Sequence, residues 1–352
     1  MDLASLGWNS HFELAMAGFR TQGWQPARVA VEDKHAYVML SEQGELAGAI
    51  TGRLLRERQS NADLPKVGDW VAFSPASNQG QGTIQAVLPR QTKLARKVAG
   101  RVVEEQVLAA NLDCAFIVQA LDLSFNVRRQ ERFLVMVHEG GVKGVVVLNK
   151  ADLCKEDDAR IKQARAAAGD TPVLLTSART GLGLGELKQC IRPAKTVAFI
   201  GPSGVGKSSL INSLYGEEIQ ATVEVRERDS RGRHTTSWRE LIQLPCGGLV
   251  IDTPGMREVQ IGMAVGGLPE AFPEIAELAV SCHFRDCSHT VEKRCAVQQA
   301  LAAGQLPRAR YESFLKLKHE LDYLVVERKQ HTYLARQREA RASRRALDRR
   351  RP

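Results

Sequence analysis

The chain has 352 residues, a formal net charge of +9, and 43% hydrophobic against 25% charged residues. At roughly 100–200 residues per domain that length implies two or three separate cores, and the balanced composition excludes a fibrous or wholly disordered protein. No segment approaches the ~18 uninterrupted apolar residues of a membrane span, and MDLASLGWNSHFELAMAGFR shows no basic leader followed by an apolar run, so the reading is a cytoplasmic protein held by no membrane.

Residues 1–100 read as a β-barrel. Between Arg28 and Leu94 the runs AYVML, AGAITG and DWVAF alternate with Gly, Asn and Pro punctuation, the pattern of short strands in a small barrel or sandwich. From Asn111 the pattern changes to AFIVQA, VVVLNK, PVLLTS, TVAFIG and LVIDTPG, separated by helical stretches. Near-continuous Val, Leu and Ile with helices between them describe an α/β domain, over 101–262, whose parallel sheet is covered on both faces. After Gly262 the pattern turns irregular, and over 263–326 it ends in a helix whose Phe314, Leu317, Leu321 and Leu324 recur every three or four residues, a core-facing stripe. Residues 327–352 form a basic tail: from Arg328 on there are ten Lys or Arg residues against Glu339 and Asp348. Such clustering suits a solvated helix face or disordered arm, and equally an arm that binds a polyanion.

Within the α/β segment, Asn149-Lys150-Ala151-Asp152 closes the strand VVVL, where the carboxyl ends of parallel strands form a ligand crevice. An ionised Asp152 can accept from both N1–H and the exocyclic amine of guanine, whereas adenine offers no such pair. Asn149 would contact the base and brace neighbouring loops, and the Lys150 stem would lie along the ring. Thr176-Ser177-Ala178 closes the next strand, so backbone amides at Ser177 and Ala178 can reach the guanine O6.

Gly201-Pro202-Ser203-Gly204-Val205-Gly206-Lys207-Ser208, followed by Ser209, stands between the strand TVAFI and the helix-forming SLINSL. This is the strand, loop, helix context of a phosphate-binding loop. Its glycines let amides turn inward at a helix N-terminus, Lys207 would bridge β- and γ-phosphate oxygens, and the Ser208 hydroxyl would ligate Mg²⁺.

Asp252-Thr253-Pro254-Gly255 ends the strand LVI, so Asp252 can hold a Mg²⁺-bound water and the Gly255 amide can meet the γ-phosphate. Between the two loops lies RGRHTT, where Thr235 or Thr236 would complete the Mg²⁺ shell. Met256 follows Gly255, where many GTPases place a water-orienting glutamine. A thioether cannot orient water, so unaided hydrolysis should be slow and should draw on His234 or on a partner. The usual order of motifs begins with the phosphate loop, but here the base-reading pair comes first. Such a circular permutation still builds the same sheet if the original termini lie together, with residues near Arg192 to Lys195 supplying the join.

Seven cysteines without a secretion signal do not suggest disulfides. Cys114, Cys154, Cys190 and Cys246 adjoin apolar residues and read as small core fillers. Cys282, Cys287, His289 and Cys295 instead crowd together, offering four ligands for a closed, structural Zn²⁺ site, with His283 as a rival ligand. A reduced core cluster and a redox pair are the other readings.

These motifs together resemble a known family, the bacterial small ribosomal subunit-dependent GTPases called ribosome biogenesis GTPase A. The similarity runs from VGDWVAF and LPRQTKLARK through EQVLAANLD, NKAD, TSA, GPSGVGKSS, RGRHTTS and DTPGMRE to the Cys-x4-Cys-x-His-x5-Cys cluster. The resemblance implies a multi-domain protein: an N-terminal OB-fold barrel, a central α/β P-loop GTPase domain of permuted topology, and a mostly helical C-terminal zinc-binding domain. It further implies a protein that binds GTP and GDP, assists late maturation of the small ribosomal subunit, and hydrolyses GTP under stimulation by the subunit, with His234 implicated in that step. The Arg-rich tail fits binding of rRNA through its phosphates, and nothing in the sequence demands a dimer, so a monomer is expected. Two other readings stand beside the family's: a module that uses GTP only to time attachment to RNA, and a P-loop ATPase or kinase, which Asp152 opposes.

Overall fold

A computed structural model describes residues 1–33, 35–76, 80–97, 104–155, 157–217, 240–252 and 266–348, with side chains to residue 327 and at 330. The chain opens with α1 (Ser10–Arg20), capped by Asn9, whose side chain accepts from the His11 amide at 3.0 Å. Phe12 and Met16, one turn apart, are buried beside Trp70.

The barrel comprises β1 (Gln25–Asp33), β2 (Ala36–Ser41), β3 (Gly44–Ile50), β4 (Trp70–Pro75) and β5 (Gln81–Val87). Their order is β1-β2-β3-β5-β4, and β1 also pairs with β4, so five strands close into a barrel of OB-fold type. Val29, Met39, Val71, Phe73 and Ile84 fill it. The run AGAITG is not all strand. Thr51 accepts from the Leu54 amide at 3.1 Å and starts a short helix, α2 (Gly52–Glu57), because a hydroxyl able to satisfy a free helix amide favours a cap over continued pairing. A hairpin of β6 (Lys93–Lys97) and β7 (Glu105–Ala110) then leads out of the barrel.

The α/β unit runs β8 (Cys114–Ala120), α3 (Val127–Glu139), β9 (Lys143–Asn149), α4 (Ala159–Ala168), β10 (Val173–Leu175), α5 (Leu184–Gln189), β11 (Thr196–Ile200), α6 (Lys207–Tyr215), β12 (Glu240–Gln243) and β13 (Leu249–Asp252). Its strands lie in the order β10-β9-β8-β11-β13-β12, all parallel except β12. Period-two alternation sends Ala115, Ile117, Val146 and Leu148 to the face covered by α3 and α4, and Phe116, Val118, Val145 and Val147 to the face covered by α5 and α6. Fully burying one such Val, Leu, Ile or Phe stabilises by about 1.5–3 kcal/mol, so both faces act as cores.

From β8 the chain steps outward to β9 and β10, then returns through α5 to β11, which pairs with β8. The return includes the segment around Arg192 to Lys195, where the Ala194 amide bonds Gly247 O at 2.9 Å. Glu240 of β12 pairs with Val31 of β1, making barrel and α/β unit one eleven-stranded sheet.

The C-terminal helices are α7 (Leu268–Ala271), α8 (Pro273–Val280), α9 (Ala296–Ala302) and α10 (Arg308–Asp348). Phe314, Leu317, Leu321 and Leu324 of α10 are all buried, as their spacing requires. Arg310 fastens this module to the nucleotide unit: it donates to Glu131 on α3 at 2.9 Å and to Glu274 on α8 at 2.6 Å, with its guanidinium 4.0 Å from the Phe272 ring centroid. Removing one partner of a buried pair of this kind costs about 3–5 kcal/mol. Of the scattered cysteines, Cys114, Cys154 and Cys246 are partly buried, but Cys190 is exposed, because it lies just past the C-terminal end of α5 rather than on a core stripe. Among the described residues no helix is long and apolar enough to cross a membrane.

Candidate active site and metal centre

The carboxyl ends of β9, β10, β11 and β13 carry, in turn, Asn149 to Asp152, Ser177 and Ala178, the phosphate loop, and Asp252. Parallel pairing puts all four on one edge of the sheet, where β8 and β11 lie side by side although they are not consecutive strands. The loop conformation depends on glycine at two points. Gly201 has φ +150°, and a Cβ there would stand 2.4 Å from Val118 O; Gly206 has φ +93°, and its Cβ would stand 2.3 Å from Asn149 Nδ2.

Asn149 ties the base-reading and phosphate motifs together. Its Nδ2 donates to Val205 O at 2.8 Å while its Oδ1 accepts from the Ala178 amide at 3.2 Å. The bracing expected of this side chain is thus direct, and it is 2% exposed. Lys150 sits at φ +61°, a left-handed conformation, lines the cleft beside Asn149 and Asp152, and has its Nζ held by Asp122 at 2.8 Å. On Asp152, the Ser177 hydroxyl donates to Oδ1 at 2.6 Å and Arg179 donates to Oδ2. The Ser177 hydrogen bond, and after it Arg179, hold the Asp152 carboxyl below its ordinary range, so it is an acceptor throughout neutral pH.

Lys207 opens α6 and is 7% exposed. Its Nζ donates to Gly201 O at 3.0 Å and Pro202 O at 2.9 Å. Burial pushes it down to about 8, with Asp252 opposing. Asp252, also buried, is pushed up by desolvation against the pull of Lys207, and its Oδ1 has no hydrogen-bond partner. A buried carboxylate oxygen without a donor, beside a lysine resting on carbonyls, suits a site completed by a hydrated cation and phosphate oxygens.

Asn149, Lys150, Asp152, Ser177, Ala178, Gly206 and Ser209 line one cleft of about 940 Å³. Gly201, Pro202, Ser203, Gly204, Val205, Lys207 and Ser208 make up the loop and the first turn of α6. His234, Thr235, Thr236 and Gly255 lie outside the described residues. Sequence reasoning missed four residues of the site: Asp122, Arg179, Asn212 and Ser213. Asn212 and Ser213 stand three and four residues beyond Ser209 on α6, so helical periodicity could have found them. Strand register offered a signal for Asp122, two residues past the Ala120 that pairs with Asn149. Nothing in the spacing marked Arg179.

In the C-terminal module Cys282, Cys287, His289 and Cys295 bring their ligand atoms within 4.8 Å of one another. Cys282 Sγ lies 3.8 Å from Cys295 Sγ and 3.6 Å from His289 Nδ1, and Cys295 Sγ lies 3.5 Å from the same nitrogen. A tetrahedron with metal–sulfur bonds of about 2.3 Å and metal–nitrogen bonds of about 2.0–2.1 Å has S···S and S···N edges of about 3.8 and 3.5 Å. The cluster could therefore hold one metal ion. Its second layer is built too: the His289 carbonyl accepts from Tyr311 Oη at 2.7 Å.

A family model described as RsgA GTPase matches residues 87–262. A small ribosomal subunit biogenesis GTPase RsgA of Opitutus terrae is 46% identical over 332 residues, covering 92% of this chain and 90% of that relative. Its namesake from Syntrophotalea carbinolica is 44% identical, with 91% and 90% covered. Among solved structures, YjeQ from Thermotoga maritima superposes with a TM-score of 0.64 at 29% identity, over 85% of this chain and 98% of its own. YloQ, described as a circularly permuted GTPase, superposes with a TM-score of 0.59 at 27% identity, over 85% and 95%.

Proposed function

The chain belongs to the RsgA GTPase family, and from that premise we propose that it binds the small ribosomal subunit and assists its late maturation, hydrolysing GTP to GDP and phosphate under stimulation by the subunit. The observation that carries the nucleotide part is the Asn149 side chain, bonded at once to the phosphate loop and to Ala178. One residue thus sets the guanine-reading and phosphate-binding halves at a fixed separation. The partner comes from the names of the relatives, which are small ribosomal subunit biogenesis GTPases.

In the proposed reaction Asp152 accepts from the guanine edge, with Ser177, Ala178 and the Lys150 stem around the base. The amides of residues 201–209 cradle the phosphates, while Lys207 leaves the Gly201 and Pro202 carbonyls for β- and γ-phosphate oxygens. Mg²⁺, when bound, offsets charge on those phosphates; Ser208, Asp252 and either Thr235 or Thr236 would hold it, a role that the orphaned Asp252 Oδ1 supports. Water adds to the γ-phosphorus as the bond to the β-phosphate oxygen breaks, and the water's proton leaves with phosphate. The Gly255 amide would meet the γ-phosphate, and His234 would help orient the water, since Met256 cannot.

Zinc is the proposed ion of the Cys282, Cys287, His289 and Cys295 cluster, as three thiolates, one imidazole and their spacing favour it. The basic tail would follow rRNA phosphates. We further place the protein in the cytoplasm as a monomer, with domain limits at 100, 262 and 326.

Steady-state hydrolysis with and without purified small subunits tests this reading. Unaided turnover should stay below about 1 s⁻¹, and subunits should raise it by about 10²-fold or more for GTP and leave ATP untouched. A rate that subunits do not change would instead fit a module that uses GTP only to time its attachment.

A further inference from the structure

We infer that Arg179 is a positioning residue for guanine discrimination: together with Ser177 it fixes the plane of the Asp152 carboxylate that meets the base. This inference rests on the guanine-site reading above. A carboxylate turns easily about its last torsion, which is broad and two-fold rather than staggered. To accept from both the ring N1–H and the exocyclic amine it must keep both oxygens in the plane of the base, and one anchor leaves that rotation free.

Here each oxygen has its own anchor. Ser177 Oγ donates to Oδ1 at 2.6 Å, and Arg179 Nη2 donates to Oδ2. A carboxylate oxygen has two acceptor directions, so each can serve an anchor and the base together. The anchors are themselves supported. The Thr180 amide donates to Ser177 Oγ at 3.2 Å and the Gly181 amide to Ser177 O at 2.9 Å, folding the segment into a turn that carries Arg179 back to Asp152.

Arg179 is otherwise free of the core. Its side chain is 74% exposed while that of Asp152 is 11% exposed, so the pair stands at the rim of the cleft that both residues line. With the Arg179 guanidinium largely in solvent, the pair contributes little to folding, which separates a recognition role from a structural one.

The test measures equilibrium binding of GDP, IDP and ADP to wild type, R179A and R179K. IDP keeps the ring N1–H but lacks the exocyclic amine, so the ratio of GDP to IDP affinity reads the amine contact alone. R179A should contract that ratio by about fivefold, and R179K, which keeps a cationic donor, should recover most of it. The unfolding temperature of R179A should stay within about 2 °C of wild type. A ratio unchanged to within about twofold overturns the inference, and so does a contraction that lysine fails to reverse. Tighter GDP binding by R179A overturns it too, by making Arg179 a competitor of the base for Asp152. A wild type that does not prefer GDP to ADP would sink the guanine-site reading itself, whatever Arg179 does.

Discussion

Lys207→Ala lowers kcat/KM for GTP by about 10²–10³-fold, the scale on which a single charge-stabilising donor acts in a preorganised site. The substitution removes a cation that the fold already holds at an energetic cost. Lys207 is buried against two carbonyls, and burial pushes it down to about 8 from its ordinary 10.5. Between those values the unfolded chain binds more protons than the folded one, so this group makes the protein more stable as pH rises from about 8 toward 10.5. Nucleotide phosphates reverse the sign, because an adjacent anion favours the ammonium. GDP binding above pH 8 should therefore take up a proton, and GDP affinity should weaken as pH rises through about 8. Calorimetry in buffers of different ionisation enthalpy reads the proton directly. Proton release, or GDP affinity unchanged in K207A, would show that Lys207 does not face the phosphates.

Cys295→Ala releases the metal and unfolds the C-terminal module while nucleotide binding survives. Structural zinc supplies about 10–16 kcal/mol in small zinc modules, more than a few short helices gain from packing alone. Cys295 also caps α9, with the Gln298 amide 3.5 Å from its sulfur, so its loss strips a ligand and a helix start together. Damage should spread through Tyr311 and Gln298, which both bond the His289 carbonyl. It should stop before the nucleotide cleft, whose lining, among the described residues, contains none of this module. Metal analysis should find about one zinc per wild-type chain and none in the variant. GDP affinity should change by less than about threefold, and stimulation by small subunits should disappear. A variant that retains full metal and a protease-resistant C-terminus would remove the structural-site reading.

Parts of this molecule are legible from sequence for identifiable reasons. The parallel strands announce themselves because both faces are buried, leaving Val146, Val147 and Leu148 consecutive and apolar. The α10 stripe is equally plain, since a helix packed on one side must repeat at three and four. β1 lacks the alternation that makes β2 plain. Ala27 and Val29 face the barrel interior while Ala30 packs on the other side, so its five consecutive buried residues, Arg28 among them, show no alternation, whereas β2 alternates along its length. Arg28 itself, 1% exposed, donates to the carbonyls of Leu6, Gly68 and Asn111, three segments far apart in the chain. Arg310 looks like one more exposed charge in RARYES until the fold brings Glu131 and Glu274 to it.

The candidate site divides in the same way. The residues assigned to a nucleotide's common features stand in contiguous motifs, because one loop or turn must present them. Asp122 and Arg179 act on those residues from neighbouring turns, and only the assembled sheet edge makes them partners. The Cys and His cluster could be read because its four ligands fall within a single turn-rich stretch.

The most direct test of the permuted guanine site is nucleotide preference after Asp152→Asn, measured by equilibrium binding of GDP, XDP and ADP. An amide at this position can donate to the 2-oxo group of xanthine but cannot accept both guanine donors, so GDP affinity should fall by about 10²-fold or more and XDP should become the preferred ligand. If the variant still prefers GDP, Asp152 does not read the base, and the motif that precedes the phosphate loop is not the guanine-specificity element.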